Sequence, residues 1–174
     1  MPREKPLWNW IWKLQCPKKI QLFIWKAMRN QVPTRQYLAF SRPHISDHCP
    51  RCNIPETTIH ILRDCPWAKE VWCQSSGSLP LTFFQLPLQS WLQTNATGKA
   101  VILHQQLPRK ICFPFLCWHL WLAQNKRIFH NQSRSQHRLI YKTVQAAIEF
   151  FYLAGPNKPI QSKVSQTKIG RAHV

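Results

Sequence analysis

A chain of 174 residues, 44% of them hydrophobic, is long and apolar enough for one ordinary domain or two small ones. With 24 Lys and Arg against 6 Asp and Glu, its net charge of +18 points to a polyanionic partner, RNA or DNA first, over a merely basic solvated surface. The acids are Glu4, Asp47, Glu56, Asp64, Glu70 and Glu149; past Val71 only Glu149 remains, which excludes the convergent carboxylates of a two-metal nuclease or polymerase.

At the start of the chain Trp8, Trp10 and Trp12 alternate as strand residues do, yet Trp8, Ile11 and Trp12 share one helical face, and a short helix is expected. The apolar stretch 7–14 is short and broken by Asn9 and Lys13, so no signal peptide is expected, and the 7 cysteines suit a reducing, intracellular compartment. Pro17 then opens a clearer helix over 18–30. Ile20, Phe23, Ile24, Ala27 and Met28 recur there at i, i+3, i+4, i+7 and i+8, a stripe that belongs in a core. Lys18, Lys19, Lys26 and Arg29 project from the other side with Trp25 among them. A basic face with an aromatic suits phosphates and a stacked base; the competing expectation packs Trp25 against a neighbouring helix. Val32-Pro33-Thr34 stops this helix and caps another over 35–42, which Pro43 ends.

The segment that follows carries the strongest chemical signal. Cys49-x2-Cys52-x7-His60-x4-Cys65 offers three thiolates and one imidazole, the donor set of a closed tetrahedral structural site, so Zn2+ is the expected cofactor. The bland alternative is three buried or free thiols and a surface histidine. His44, His48 and Cys73 compete for the fourth position, where His60 is preferred. Pro55 is expected to open a helix over 56–62 that brings His60 on an early turn and delivers Cys65 near its end, where Pro66 stops it. A further amphipathic turn over 67–72 would pack its Trp and Val under the metal loop. The gap before the histidine is longer than in a retroviral-type zinc knuckle.

Ser75-Ser76-Gly77-Ser78 and the prolines of 80–87 read as a linker. The longest apolar run, 111–123, is interrupted by Pro114 and His119 and is too short to span a bilayer, so no membrane association is expected. His119 reads as a packed core histidine, and a helix over 138–153 with Ile140, Val144, Ala147 and Phe151 on one stripe is its expected partner. Cys16, Cys73, Cys112 and Cys117 read as small buried hydrophobes. The tail 154–174, rich in Pro, Lys, Ser and Gln, reads as disordered. Its last residues, Ile169-Gly170-Arg171-Ala172-His173-Val174, match a translated short-read sequencing adapter and are set aside as a scar would be, a hypothesis that a genomic sequence encoding them would reject.

Taken together, 8–14, Pro17-Lys18-Lys19-Ile20-Gln21-Leu22-Phe23-Ile24-Trp25-Lys26-Ala27, Leu38, Cys49-Pro50-Arg51-Cys52, Glu56-Thr57, His60-Ile61-Leu62, Cys65-Pro66 and Val71-Trp72 resemble the reverse-transcriptase zinc-binding domain of plant LINE-type (non-LTR) retrotransposons. The resemblance implies that Cys49, Cys52, His60 and Cys65 take the ligand positions. It also implies that polymerase and ribonuclease H domains formerly adjoined this chain, and the Trp-rich stretch 113–129 is similar to the helix that leads into the ribonuclease H domain.

The expected fold is mainly α: short helices around one structural zinc site in 1–75, a linker or irregular segment over 76–108, and two longer C-terminal helices, the first in a Trp-rich segment over 109–153. The expected function is a non-enzymatic zinc module that binds RNA or DNA through Lys18, Lys19, Trp25, Lys26, Arg29, Arg51 and Arg63. Four glycines, none in a phosphate-cradling pattern, and four protein ligands on the metal argue against an enzyme. The alternatives are a structural or protein-interaction module and a remnant without function.

Overall fold

The computed structural model describes residues 8–98, 102–103, 107–131 and 135–154. Among these the fold is mainly α, with one short strand pair. A 3-10 turn over Asn9–Lys13 buries Ile11 and leads through Pro17 into α1 (Lys18–Met28). The whole apolar stripe of α1 is buried. The helix ends two residues before the expected position, because Asn30 takes a left-handed φ of 53° and lets Gln31 N–H return to the Lys26 carbonyl. Thr34 caps α2 (Arg35–Ser41) by accepting the Tyr37 N–H at 3.1 Å. No residue of α2 is buried, and Phe40 is 94% exposed.

After the metal segment, Pro66 begins α3 (Pro66–Ser75) at its first turn, where its missing N–H has no helical partner to lose. Much of the described part of the segment expected to form a linker is helical instead. A 3-10 turn over Leu81–Phe84 and the helix α4 (Leu88–Thr97) place Phe83, Trp91 and Leu92 in the core. The physical reason is aromatic packing: Trp72 of α3, Phe83, Trp91 of α4 and Phe113 meet with ring centroids 4.9 Å apart for Trp91–Phe113, 5.2 Å for Trp72–Phe83 and 5.7 Å for Trp72–Trp91. The prolines at 80 and 87 precede helical turns rather than preventing them.

Strands β1 (Ile102–Leu103) and β2 (Leu107–Pro108) pair antiparallel and feed α5 (Arg109–His130), which closes with Asn131 in the left-handed region. This helix is the centre of the molecule, packing on α1, α4, the turn before α3 and α6 (Gln136–Ala154). On α6 Ile140, Val144 and Ala147 are buried while Phe151 is only partly so. His119 is half-buried and meets Thr143 Oγ1 of α6 at 2.7 Å, as a packing histidine would. No described helix is long and apolar enough to cross a membrane. Beyond Ala154 the expected tail, with Ile169–Val174, lies outside the described residues.

Candidate metal centre

The first two sulfurs are set by a tight loop. His48 and Pro55 form an antiparallel bridge, Cys49 N–H donates to the Ile54 carbonyl at 2.7 Å, and Asn53 N–H returns to the Cys49 carbonyl at 2.8 Å. Closing the loop requires Asn53 at φ 58°, a conformation that asparagine tolerates better than branched residues do. Pro55 is thus a bridge residue and does not open the helix. That role falls to Thr57, whose Oγ1 accepts the His60 N–H at 3.1 Å.

The second pair is set by a change of helical pitch. His60–Asp64 is a π-type turn, closed by Cys65 N–H donating to the His60 carbonyl at 2.8 Å. This i to i+5 bond brings residues 60 and 65 together despite a spacing that a regular α-helix would splay by about 140°, five steps of 100°. Trp72 braces the turn from α3 through Nε1–H to the Leu62 carbonyl at 2.7 Å.

Together the two devices place the ligating atoms of Cys49, Cys52, His60 and Cys65 within 4.8 Å of one another. His60 Nε2 faces Cys52 Sγ at 3.2 Å. A tetrahedral ion with metal–sulfur bonds of about 2.3 Å needs sulfurs about 3.8 Å apart, so the cluster fits such an ion with small adjustments. His44 and His48 do not join it; His48 instead pairs with Asp47 at 2.6 Å, and Cys73 is exposed on α3, not buried as expected.

The sulfurs share hydrogen bonds. The one between Cys65 and Cys49, supported by His60 and by the Arg51 and Cys52 amides, favours a thiolate at Cys49 against its burial. The same shared bond pushes Cys65 up, and burial raises Cys52. Amides also point at the other sulfurs, Ile54 at Cys52 and Trp67 at Cys65. Peptide N–H groups aimed at sulfur are what a thiolate centre requires. Cys16 and Cys112, by contrast, are pushed up to about 12 by burial alone and are packing residues.

The residues expected to meet nucleic acid divide into two groups. Lys18, Lys19 and Lys26 of α1 and Arg29 at its C-cap are all exposed. Trp25 is half-buried with the Arg29 guanidinium 4.6 Å above its ring, so one face is already covered. Arg51 is turned inward, donating through Nε to Gln124 Oε1 at 2.9 Å and stacking 4.2 Å over Trp67. Arg63 is 5% exposed and its donors are committed: Nε and Nη2 to Asp64 at 2.7 and 3.2 Å, Nη1 to the carbonyls of Phe83 and Leu86. Arg63 is therefore an internal brace and not a phosphate contact, because the metal turn needed a tie to the segment that follows α3.

Two further residues stand beside the cluster, neither of them expected from the ligand spacing. Glu56, 1% exposed, and Gln124, 5% exposed and contributed by α5, meet at 2.6 Å beside Cys49. Burial raises the Glu56 pKa, opposed by the Arg35 amide and by Gln124. A buried carboxylate next to a metal loop is a recognisable hint; a glutamine in a long helix is not.

Residues 2–72 match the family model described as zinc-binding in reverse transcriptase. A curated Arabidopsis thaliana protein named for ribonuclease H is 24% identical over 140 residues, 79% of this chain. The chain spans only 22% of that relative's length. No solved structure matches.

Proposed function

We propose that the reverse-transcriptase zinc-binding domain carried by residues 2–72 holds one structural Zn2+ on Cys49, Cys52, His60 and Cys65 and binds RNA or DNA through the open face of α1. Four protein ligands leave the ion no position for water, so zinc supplies rigidity and not hydrolytic chemistry. A cross-link of this kind also explains how a loop with few apolar residues keeps its shape.

The observation that carries the nucleic-acid reading is the state of α1. Lys18, Lys19 and Lys26 on the helix and Arg29 at its C-cap are exposed, and none of them forms an ion pair among the described residues. Such a face attracts a phosphate backbone without reading its sequence, and affinity should fall steeply with salt. Polarisation titrations of the full chain with single-stranded and duplex RNA and DNA over a salt series test this. Replacing Lys19 and Lys26 by alanine should flatten the log–log salt slope by about 1.4 for single strands or about 1.8 for B-DNA, two phosphate contacts in all. An unchanged slope and affinity would remove α1 from the interface.

One observation favours a second reading, a module that positions neighbouring domains. Helix α2 buries no residue and, although Glu56 ties down its first turn, presents Tyr37 and Phe40 to solvent, apolar surface suited to a neighbouring domain. The relative's ribonuclease H name and greater length give that reading its context.

A further inference from the structure

The family match ends at residue 72, yet a polar side chain from α5 reaches the sulfurs. Gln124 Nε2 lies 2.6 Å from Glu56 Oε2 and 3.4 Å from Cys49 Sγ, and its Oε1 accepts Arg51 Nε–H at 2.9 Å. The orientation of the amide is dictated by its neighbours: arginine only donates, so oxygen must face Arg51, and a carboxylate only accepts, so nitrogen must face Glu56. One N–H then serves Glu56 and the other is left for Cys49. Glu56 is fixed in turn by the Arg35 N–H on Oε1 at 2.9 Å, and its own backbone bonds Asp47 and Gln36. At 5% and 1% exposure, neither Gln124 nor Glu56 has water to fall back on.

From this geometry we infer that Gln124 is a positioning residue for the metal centre: it donates to the Cys49 thiolate and locks the Cys49–Cys52 loop onto α5 through Arg51 and Glu56. The centre therefore belongs to a unit larger than the matched residues. Through one amide, α5 both closes the core and completes the outer hydrogen bonding of the sulfurs, as groups around a metal's own ligands commonly do. Arg51 acquires a role in the same stroke, since its place over Trp67 orients the guanidinium toward Gln124.

The inference rests on the zinc reading, and the experiment separates the two. The full chain, purified with zinc, is titrated with a chromophoric chelator, and its cobalt-substituted form is recorded in the thiolate-to-metal charge-transfer region. Three variants are compared: Gln124→Leu, Leu116→Ala two turns away on α5, and the exchange Glu56→Gln with Gln124→Glu. The exchange keeps an amide–carboxylate pair and an acceptor for Arg51 but removes the donor facing Cys49. Gln124→Leu and the exchange should each weaken zinc retention 10- to 100-fold and shift the cobalt charge-transfer band. Leu116→Ala should lower the melting temperature and leave both readouts unchanged. Wild-type retention and spectrum in the exchanged protein, or an equal loss in Leu116→Ala, would overturn the inference. A wild-type chain that takes up no zinc would instead overturn the zinc reading itself.

Discussion

Arg63 and Lys26 carry the same charge, but only Lys26 presents it to solvent. Charge and helical spacing make both look like phosphate contacts; besides the adjacent Asp64, Arg63 is held by the carbonyls of Phe83 and Leu86, twenty or more residues away, where no local pattern reaches. Arg63→Met should therefore cost roughly 2–3 kcal/mol in a denaturant titration, the penalty of two orphaned carbonyls, while the salt slope for nucleic acid stays as it was. An altered slope with intact stability would reverse that assignment. The convergence of Cys49, Cys52, His60 and Cys65, by contrast, was legible residue by residue, because donor sets for a metal are constrained in their spacing within a short segment. Asn53 marks where the loop turns left-handed: Asn53→Gly should be tolerated, and Asn53→Val should lose about 1–2 kcal/mol by thermal melting. Cysteine chemistry sorts the same way. Exposed Cys73 should alkylate first in the zinc-loaded protein, with Cys16, Cys112 and Cys117 protected by burial, as mass spectrometry of the modified peptides would report.

Among the elements, α1 followed directly from its apolar period, whereas the π turn over His60–Asp64 and helix α4 did not. A π turn leaves no periodic signature in five residues; it exists because His60 and Cys65 must converge and because Trp72 holds the Leu62 carbonyl. Helix α4 is short, has no side-chain cap at its N-terminus, and is rich in Gln, Ser and Thr, so its local propensity is weak. What orders it is Trp91, fully buried between Trp72 and Phe113. Trp91→Ala should accordingly cost about 3–5 kcal/mol, the usual loss for a buried aromatic, measured by the urea midpoint. A change below about 0.5 kcal/mol, typical of surface positions, would return 76–108 to the status of a linker.

At the scale of the molecule, α5 joins two parts that sequence patterns keep apart. The buried face of α1, the aromatic cluster around Trp72 and the stripe of α6 all close on it, and Gln124 extends the same helix to the sulfurs. The division into a zinc unit, a linker and a helical appendage is thus a division of the sequence, not of the core. Apolar residues bury wherever a partner exists, whatever their distance along the chain. Charge is partitioned in the same way: inward arginines at the centre, exposed lysines on α1.

The measurement that bears most directly on this account is the zinc content of the purified full chain, with circular dichroism before and after chelation and for Cys52→Ser. The account predicts one tightly held zinc per chain, helix lost when it is removed, and little zinc and less helix in the variant. A chain without zinc, or one whose helix is indifferent to the chelator, would contradict it.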